Sequence, residues 1–492
     1  MSAQNSTRDK RWNALILLAA AQFVVVLDAS IVNVALPSIG RELKFSQDNL
    51  AWVVSAYTLT FGGFLLLGGR MADLLGRRRL FMAGIVLFAL ASLGGGLSQT
   101  EGQLIAWRAL QGLGAALVSP AALSIVTTIF TEGSERNKAL GVWGAVAGAG
   151  GAVGVLLGGI LTDTLGWEWV LFVNTPIGIA VALMTPRLIP ESRSGSETRT
   201  FDVAGAVSVT AGLSLLVYAL VDARSAGWGS TQTIGLLALS GALLLVFGVI
   251  ETRSAAPLVP FRIFRLQTLR GANVIGLLVG MSLFAMFFFV SLYMQQVLGY
   301  KPLKAGFAYL PLAVTIIISA GVASQLVTRL GFKPVLITGL LLVAAGLVWF
   351  SRVSPGGSYV GDVLFPSLLA AAGLGFSFVP VTIAAVTGVS GSDAGLASGL
   401  INTSQQIGGA LGLAILSAVA TSKTADVLAA AGGDRRQLPA ALTEGFQDAF
   451  VIGAGFALTG AVLAALMISG RDSRQHVEAV ESGDADAVPV AV

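Results

Sequence analysis

Fourteen apolar runs recur along this chain, most of them close to the length that carries a helix across the hydrocarbon core of a bilayer. They lie at 13–36, 50–70, 80–99, 103–130, 139–163, 169–188, 203–221, 233–251, 271–297, 305–329, 333–352, 360–388, 394–421 and 448–469. In lipid, every backbone N–H and C=O must find its partner inside the protein. Such runs are therefore held to α-helix, or to strands of a closed barrel. The alternating ten-residue pattern of barrel strands is not present in the sequence. Composition agrees, since 55% of the residues are hydrophobic and only 11% are charged. A soluble chain carries about 25% charged residues, enough to cover a water-facing surface. The expectation is an all-α polytopic membrane protein with fourteen transmembrane helices. The first run follows Arg8, Lys10 and Arg11. It is too long for a signal core and contains an acid, so it is expected to stay as an uncleaved first span.

The chain has no cysteine and a single histidine, His476, in the polar tail. Disulfides, thiol catalysis, cysteine-held metal and a histidine relay inside the membrane are excluded. No metal or cofactor is expected. All connections are short, the longest being 422–447 with "GGDRRQLP". That leaves no room for a separate soluble domain, and no nucleic-acid partner is expected. Lys and Arg concentrate on one side. With the N-terminus placed in the cytoplasm, the segments on that side hold 20 of the 30 basic residues and the other side holds 9. The remaining one, Arg108, falls within a span. This bias predicts both termini inside.

The two ends of the chain echo each other. "GGAVGVL" from Gly150 matches "GGALGLA" from Gly408. "QGLGAA" from Gln111 matches "AGLGFS" from Ala372, and "MADLLGRRRL" from Met71 faintly matches "LVTRLGFKPV" from Leu326. The order and the nearly constant offset predict two six-helix halves, 1–188 and 271–470, with two extra helices in a linker, 189–270. Residues 471–492 are expected to be a disordered cytoplasmic tail. Two six-span halves around a midplane site are a transporter architecture.

Four stretches carry chemistry. In "VVVLDASIVNVALP" the acid Asp28 sits well inside the first span, about 12 Å from the end near Leu36 at 1.5 Å per residue. A charge at that depth costs about 2.5–3.5 kcal/mol on insertion scales, so it is expected to face a cavity or a partner. Arg108, in "LIAWRALQGLGAA", lies at a compatible depth in the fourth run. The pair can load and release a proton; the plainer alternative is a static ion pair between helices. "GGRMADLLGRRRL" places Asp73 four residues before Arg77 in the turn after the second run. A carboxylate there can pair with loop arginines or with the positive end of a neighbouring helix and so latch that side. "GAVAGAGGAVGVLLGGIL" carries Gly150, Gly154, Gly158 and Gly159, which let helices approach closely.

These motifs together resemble the major facilitator superfamily, and within it the fourteen-span drug/proton antiporters. "LDASIVNVALP" is similar to that family's first-helix motif at Asp28, Asn33, Ala35, Leu36 and Pro37. "GRMADLLGRRRL" resembles the loop motif at Gly69, Asp73, Gly76, Arg77 and Arg78, and "RALQGLGAA" the fourth-helix motif at Arg108, Gln111, Gly112 and Gly114. "WEWVLFVNTPIG", Trp167 to Gly178, is also typical. The resemblance implies proton coupling at Asp28 and Arg108, an inside gate at the Asp73 loop, and an antiporter-type fifth helix. It departs from the family pattern at Val155, where the pattern has Pro, and at Leu74, where it has a basic residue.

The implied function is proton-driven export of hydrophobic or cationic drug-like compounds across the bacterial cytoplasmic membrane, by a monomer in contact with lipid. Alternatives are an uptake or metabolite carrier of the same fold and, more remotely, a membrane enzyme or sensor. The side chains proposed to line a midplane substrate cavity are Asn33, Tyr57, Gln111, Phe287, Tyr293, Gln295, Asn402, Gln405 and Gln406.

Overall fold

The computed structural model describes residues 2–45, 50, 52–130, 133–192, 202–254, 257–390 and 393–482. Among them there is no strand. The first half contains α1 (Ser2–Glu42), α2 (Trp52–Leu75), α3 (Arg77–Gly96), α4 (Glu101–Ile129), α5 (Gly133–Thr164) and α6 (Asn174–Leu188). The linker helices are α7 (Val203–Ala226) and α8 (Thr231–Arg253). The second half contains α9 (Gln267–Leu292), α10 (Leu310–Leu330), α11 (Phe332–Phe350), α12 (Phe365–Val386), α13 (Ala394–Ala430) and α14 (Leu438–Met467). A last helix, α15, covers Gly470–Ser482. Thirteen of the described helices are long and apolar enough to cross a membrane. The glycine-rich α5, 32 residues long, stands in the place of the remaining, fifth, segment.

Helix starts follow capping chemistry. The Thr100 side chain accepts from the Gln103 N–H at the start of α4, Asp202 from Gly205 at α7, and Ser230 from Thr233 at α8. Each satisfies one of the N–H groups that the first turn leaves without a partner. The sharp turn from α2 to α3 is made at Gly76, whose φ of 110° is open to glycine and strained for other residues.

The two halves repeat one packing scheme. In the first, α1 lies along α5, α2 along α4, and α3 along α4; in the second, α9 lies along α13, α10 along α12, and α11 along α12. The halves meet crosswise, α5 against α10 and α2 against α13. The linker helices pack on each other, and α7 leans on α2 and α13. α8 turns Ile234, Leu239, Leu245, Val246 and Val249 outward, an apolar face suited to lipid.

Two expectations need correction. The tail from 471 is not disordered throughout: α15 reaches Ser482, and its Ser473 and His476 are buried. Its short polar sequence hides an amphipathic pattern that only a docking surface stabilises. Residues 483–492 lie outside the described residues. The long connection expected at 422–447 is mostly helix, because α13 runs on to Ala430 and α14 begins at Leu438. The alanine-rich "ADVLAAA" continues a helix beyond the apolar run that flagged it.

Candidate functional site

The first cluster forms where α1, α2, α4 and α6 converge. Asp28 and Arg108 are buried, at 0% and 1% exposure. Arg108 Nη1 donates to Asp28 Oδ2 at 2.5 Å and to Gln111 Oε1 at 2.6 Å, and its Nε donates to the Val53 carbonyl at 2.9 Å. Asp28 Oδ1 accepts two amides, Gln111 Nε2 and Asn174 Nδ2, each at 2.7 Å. Gln111 Nε2 also reaches Ser92 Oγ at 2.7 Å. The Arg108 guanidinium lies over the Tyr57 ring, 4.4 Å from its centroid, while the Tyr57 hydroxyl donates to the Val25 carbonyl. A buried ion pair repays its desolvation only when such extra bonds are in place. Two buried atoms of the cluster, Arg108 Nη2 and Asn174 Oδ1, have no hydrogen-bond partner.

Asp28 and Arg108 therefore touch, as their depths in the sequence allow. Tyr57 and Gln111, grouped with a substrate cavity on sequence, are both buried against the acid pair. Asn174 and Ser92 were missed. The signal for Asn174 was its amide in the apolar "FVNTPIG". Nothing in the sequence marks Ser92, a hydroxyl in a helix that ordinarily bonds its own turn.

The second cluster lies at the end of the molecule that carries Arg77, Arg78 and Arg79, the basic face. Asp73 is fully buried and accepts from Arg77 Nη2 at 2.9 Å. It also accepts from two backbone N–H groups at the start of α13, Gly395 at 3.1 Å and Leu396 at 3.0 Å. The helix N-terminus is the positive end that favours a carboxylate. Gly69 permits this approach: a Cβ there would lie 2.5 Å from the Gly395 carbonyl oxygen. Arg78 does not join Asp73. It donates to the Ile189 carbonyl at 3.2 Å and lies 3.7 Å from Glu191, tying the turn to the segment after α6.

Further links between the halves cluster at this face. Arg70 lies 3.9 Å from Asp393, Arg136 donates to the Val386 carbonyl, and Asn137 Nδ2 donates to Thr328 Oγ1 at 3.0 Å. α15 adds one more: the His476 ring nitrogen bonds Asn137 Oδ1 at 3.0 Å while the ring packs edge-on against Phe332. Ser473 Oγ accepts from the Lys333 N–H, and Asp472 accepts from Thr268. Burial, and then the nearby Arg136, hold the His476 imidazole down at about 4. At the other end the halves meet by close packing, with a Cβ at Gly306 falling 2.9 Å from Leu156 Cα.

The glycines of α5 seat it on α1. A Cβ at Gly150 would lie 2.8 Å from the Val26 side chain, one at Gly154 2.8 Å from the Leu27 carbonyl oxygen, and one at Gly158 2.7 Å from the Ile31 carbonyl oxygen. Gly159 faces Leu303 of the second half instead.

The remaining predicted cavity residues each make contacts of their own. Among the described residues, no hydrogen bond or ring contact joins any two of Asn33, Phe287, Tyr293, Gln295, Asn402, Gln405 and Gln406. Asn33 is exposed and bonds its own helix at Ala29. Phe287 stacks on Tyr309, Gln295 bonds Ser291, and Asn402 bonds Ser398. Gln405 packs where α13 meets α9 at Gly276, and Gln406 is half-buried. Tyr293 is buried and its hydroxyl donates to the Ser354 carbonyl, which fastens the loop before α12.

A family model described as Major Facilitator Superfamily matches residues 18–413. The chain is 40% identical to a puromycin resistance protein of Streptomyces alboniger, covering 98% of this chain and 95% of that one. It is 42% identical to a cephamycin export protein of Amycolatopsis lactamdurans, over 92% and 91%. Among solved structures, a proton:xylose symporter matches with a TM-score of 0.65 at 15% identity, covering 94% of this chain and 97% of that one. The human organic anion transporter MFSD10 matches with a TM-score of 0.63 at 16% identity, over 92% and 99%. At these identities the structural matches speak for the fold alone.

Proposed function

The chain belongs to the major facilitator superfamily, and from that premise we propose that it is a proton-coupled exporter of hydrophobic or cationic drug-like compounds. The observation that carries this reading is the buried Asp28–Arg108 pair, closed by Gln111 and Asn174 within one half of the fold. A carboxylate has two forms, charged and paired with Arg108 or protonated and released from it, and proton coupling is a cycle between them. Two relatives that match nearly the whole chain are named for resistance to, or export of, antibiotics, which supports an amphipathic antibiotic-like substrate.

The basic face is the cytoplasmic one in this reading, with both termini inside the bacterial plasma membrane. The links at Asp73, Arg70, Arg136 and Asn137 hold the cytoplasmic side shut. A proton arrives from outside onto Asp28, about 12 Å from the end of its helix. Protonation removes the charge that holds Arg108, and the substrate is discharged outward. The halves then rock, the Asp73 latch parts, and the proton leaves to the cytoplasm. The protein works as a monomer with lipid around it.

Transport direction in membrane vesicles tests the reading, with puromycin as one probe and ethidium as a cationic one. Everted vesicles energised with an inward-acid gradient should accumulate probe. Accumulation only in right-side-out vesicles, down the proton gradient, would instead make the chain an uptake carrier.

A further inference from the structure

Asp28 has a difficulty that its ion pair hides. Everything facing its carboxylate is a donor: Arg108 Nη1 on Oδ2, and the amide nitrogens of Gln111 and Asn174 on Oδ1. This suits the charged form. A protonated Asp28 needs an acceptor for its new O–H, and a guanidinium has none. Without one, a buried hydroxyl is left unpaired.

Among the described residues, the side chains that bond the carboxylate and also carry an acceptor are the amides Gln111 and Asn174. Gln111 is committed. Its Oε1 takes Arg108 Nη1, and its Nε2 bridges Asp28 and Ser92. Turning that amide over would break all three bonds. Asn174 is different. It is fully buried, its Nδ2 makes one bond, and its Oδ1 has no partner at all. A half-turn about its last side-chain bond puts Oδ1 where Nδ2 was, at the cost of that single bond. Among the described residues, no other titratable group bonds the carboxylate. Arg108 on α4 and Tyr57 on α2 face Asp28, and α5 and α6 bring none to it.

We infer that Asn174 is the switching amide of the proton site, donating to Asp28 when it is charged and turning to accept from it when it is protonated. The step moves one proton: a hydronium ion gives it up and becomes water, the Asn174 Nδ2–Asp28 Oδ1 bond breaks, an O–H bond forms at Asp28 Oδ1, and that O–H donates to Asn174 Oδ1. Arg108 keeps all its protons. Asn174 is thus a positioning residue, giving both protonation states a bonded partner so that Asp28 can cycle between them. It sits at the first turn of α6, next to Val173 and the short helix Trp169–Phe172. Its turning therefore reports the state of Asp28 to a helix that packs on α1 and α3. The inference rests on the proposed proton coupling at Asp28.

Infrared difference spectra of the purified full chain in lipid nanodiscs test it without any substrate. Asn is labelled with ¹³C at its side-chain carbonyl, and pH is the only variable. The Asp28 carboxyl band is the one lost in Asp28→Asn. The Asn174 band is the one lost in Asn174→Val. The expected result is that the Asn174 carbonyl band moves to lower wavenumber with the same midpoint as the Asp28 band appears. Should Asn174→Val fail to fold, the same band is found as the Asn carbonyl that moves with pH in the wild type and stays fixed in Asp28→Asn. An Asn174 band that stays still across the Asp28 titration overturns the switch while leaving proton-coupled export intact. Co-titration in a protein that moves no drug would keep the switch and discard the export reading. A chain with no titrating Asp28 band loses both.

Discussion

Replacing Asp73 by Asn removes the charge from the proposed latch while leaving its size nearly unchanged. In the structure Asp73 accepts from the N–H groups of Gly395 and Leu396 and from Arg77. Only the two bonds to α13 cross between the halves, so only they favour the state with the basic face shut. An amide keeps one acceptor oxygen, so one of these bonds is lost and the other is no longer charge-assisted. A hydrogen bond to a charged group contributes about 1.5–3 kcal/mol, and the carboxylate's attraction to the N-terminus of α13 adds about 0.3–1 kcal/mol. The bias lost is about 2–4 kcal/mol, or about 30- to 900-fold in the ratio of shut to open states. The chain has no cysteine, so labels can be placed without background. Arg79, with its side chain 68% exposed, and Arg329, also exposed, lie on opposite halves at this face. Spin labels at Arg79→Cys and Arg329→Cys should give one short distance in the otherwise wild-type protein. With Asp73→Asn added, a longer distance should become a major population, and efflux should fall. An unchanged distance distribution in a monodisperse, folded variant would refute the latch and the arithmetic behind it.

Gly154→Leu should lower thermal stability, because any Cβ there meets the Leu27 carbonyl and Ser30; overpacking of this kind costs about 1–3 kcal/mol, and a melting temperature equal to wild type would argue against the close α1–α5 seat. For α15 the sign follows from His476. Its docked value of about 4 lies below the usual 6.5, so docking is at full strength above pH 6.5 and weakens as pH falls from there toward 4. At pH 5.5 the loss is about 1.4 kcal/mol, or tenfold. Hydrogen exchange over Gly470–Ser482, corrected for intrinsic rates, should rise about tenfold between pH 7.5 and 5.5. His476→Gln should flatten that rise.

The sequence carried the fold because lipid permits so few solutions: an apolar run of sufficient length must be helix, and a charge inside one must find a partner. Asp28 and Arg108 were legible for that reason, and Asp73 because four residues place it beside Arg77. What the run lengths could not mark was helix continuing past the hydrocarbon, as in α13 and α15, where alanine content and a docking face decide. Polar side chains were harder. Gln111 and Tyr57 read as cavity walls because an isolated amide or phenol gives no sign of which neighbour it bonds; the structure spends both on the acid pair. Asn174 acts across 146 residues of sequence, and such a long-range contact leaves no local pattern. That Asp73 could meet a helix N-terminus was legible, but not which helix, because the partners are backbone N–H groups at Gly395 and Leu396 rather than side chains.

The central claim is that Asp28 is the proton carrier. It is tested most directly by Asp28→Asn in proteoliposomes, with drug-driven proton movement followed by an internal pH dye and efflux followed in the same sample. The amide keeps the size of the side chain and cannot be ionised. The account predicts a folded, inserted protein that moves no protons on drug addition and exports nothing against a gradient. Normal proton exchange together with normal efflux in that variant would contradict it.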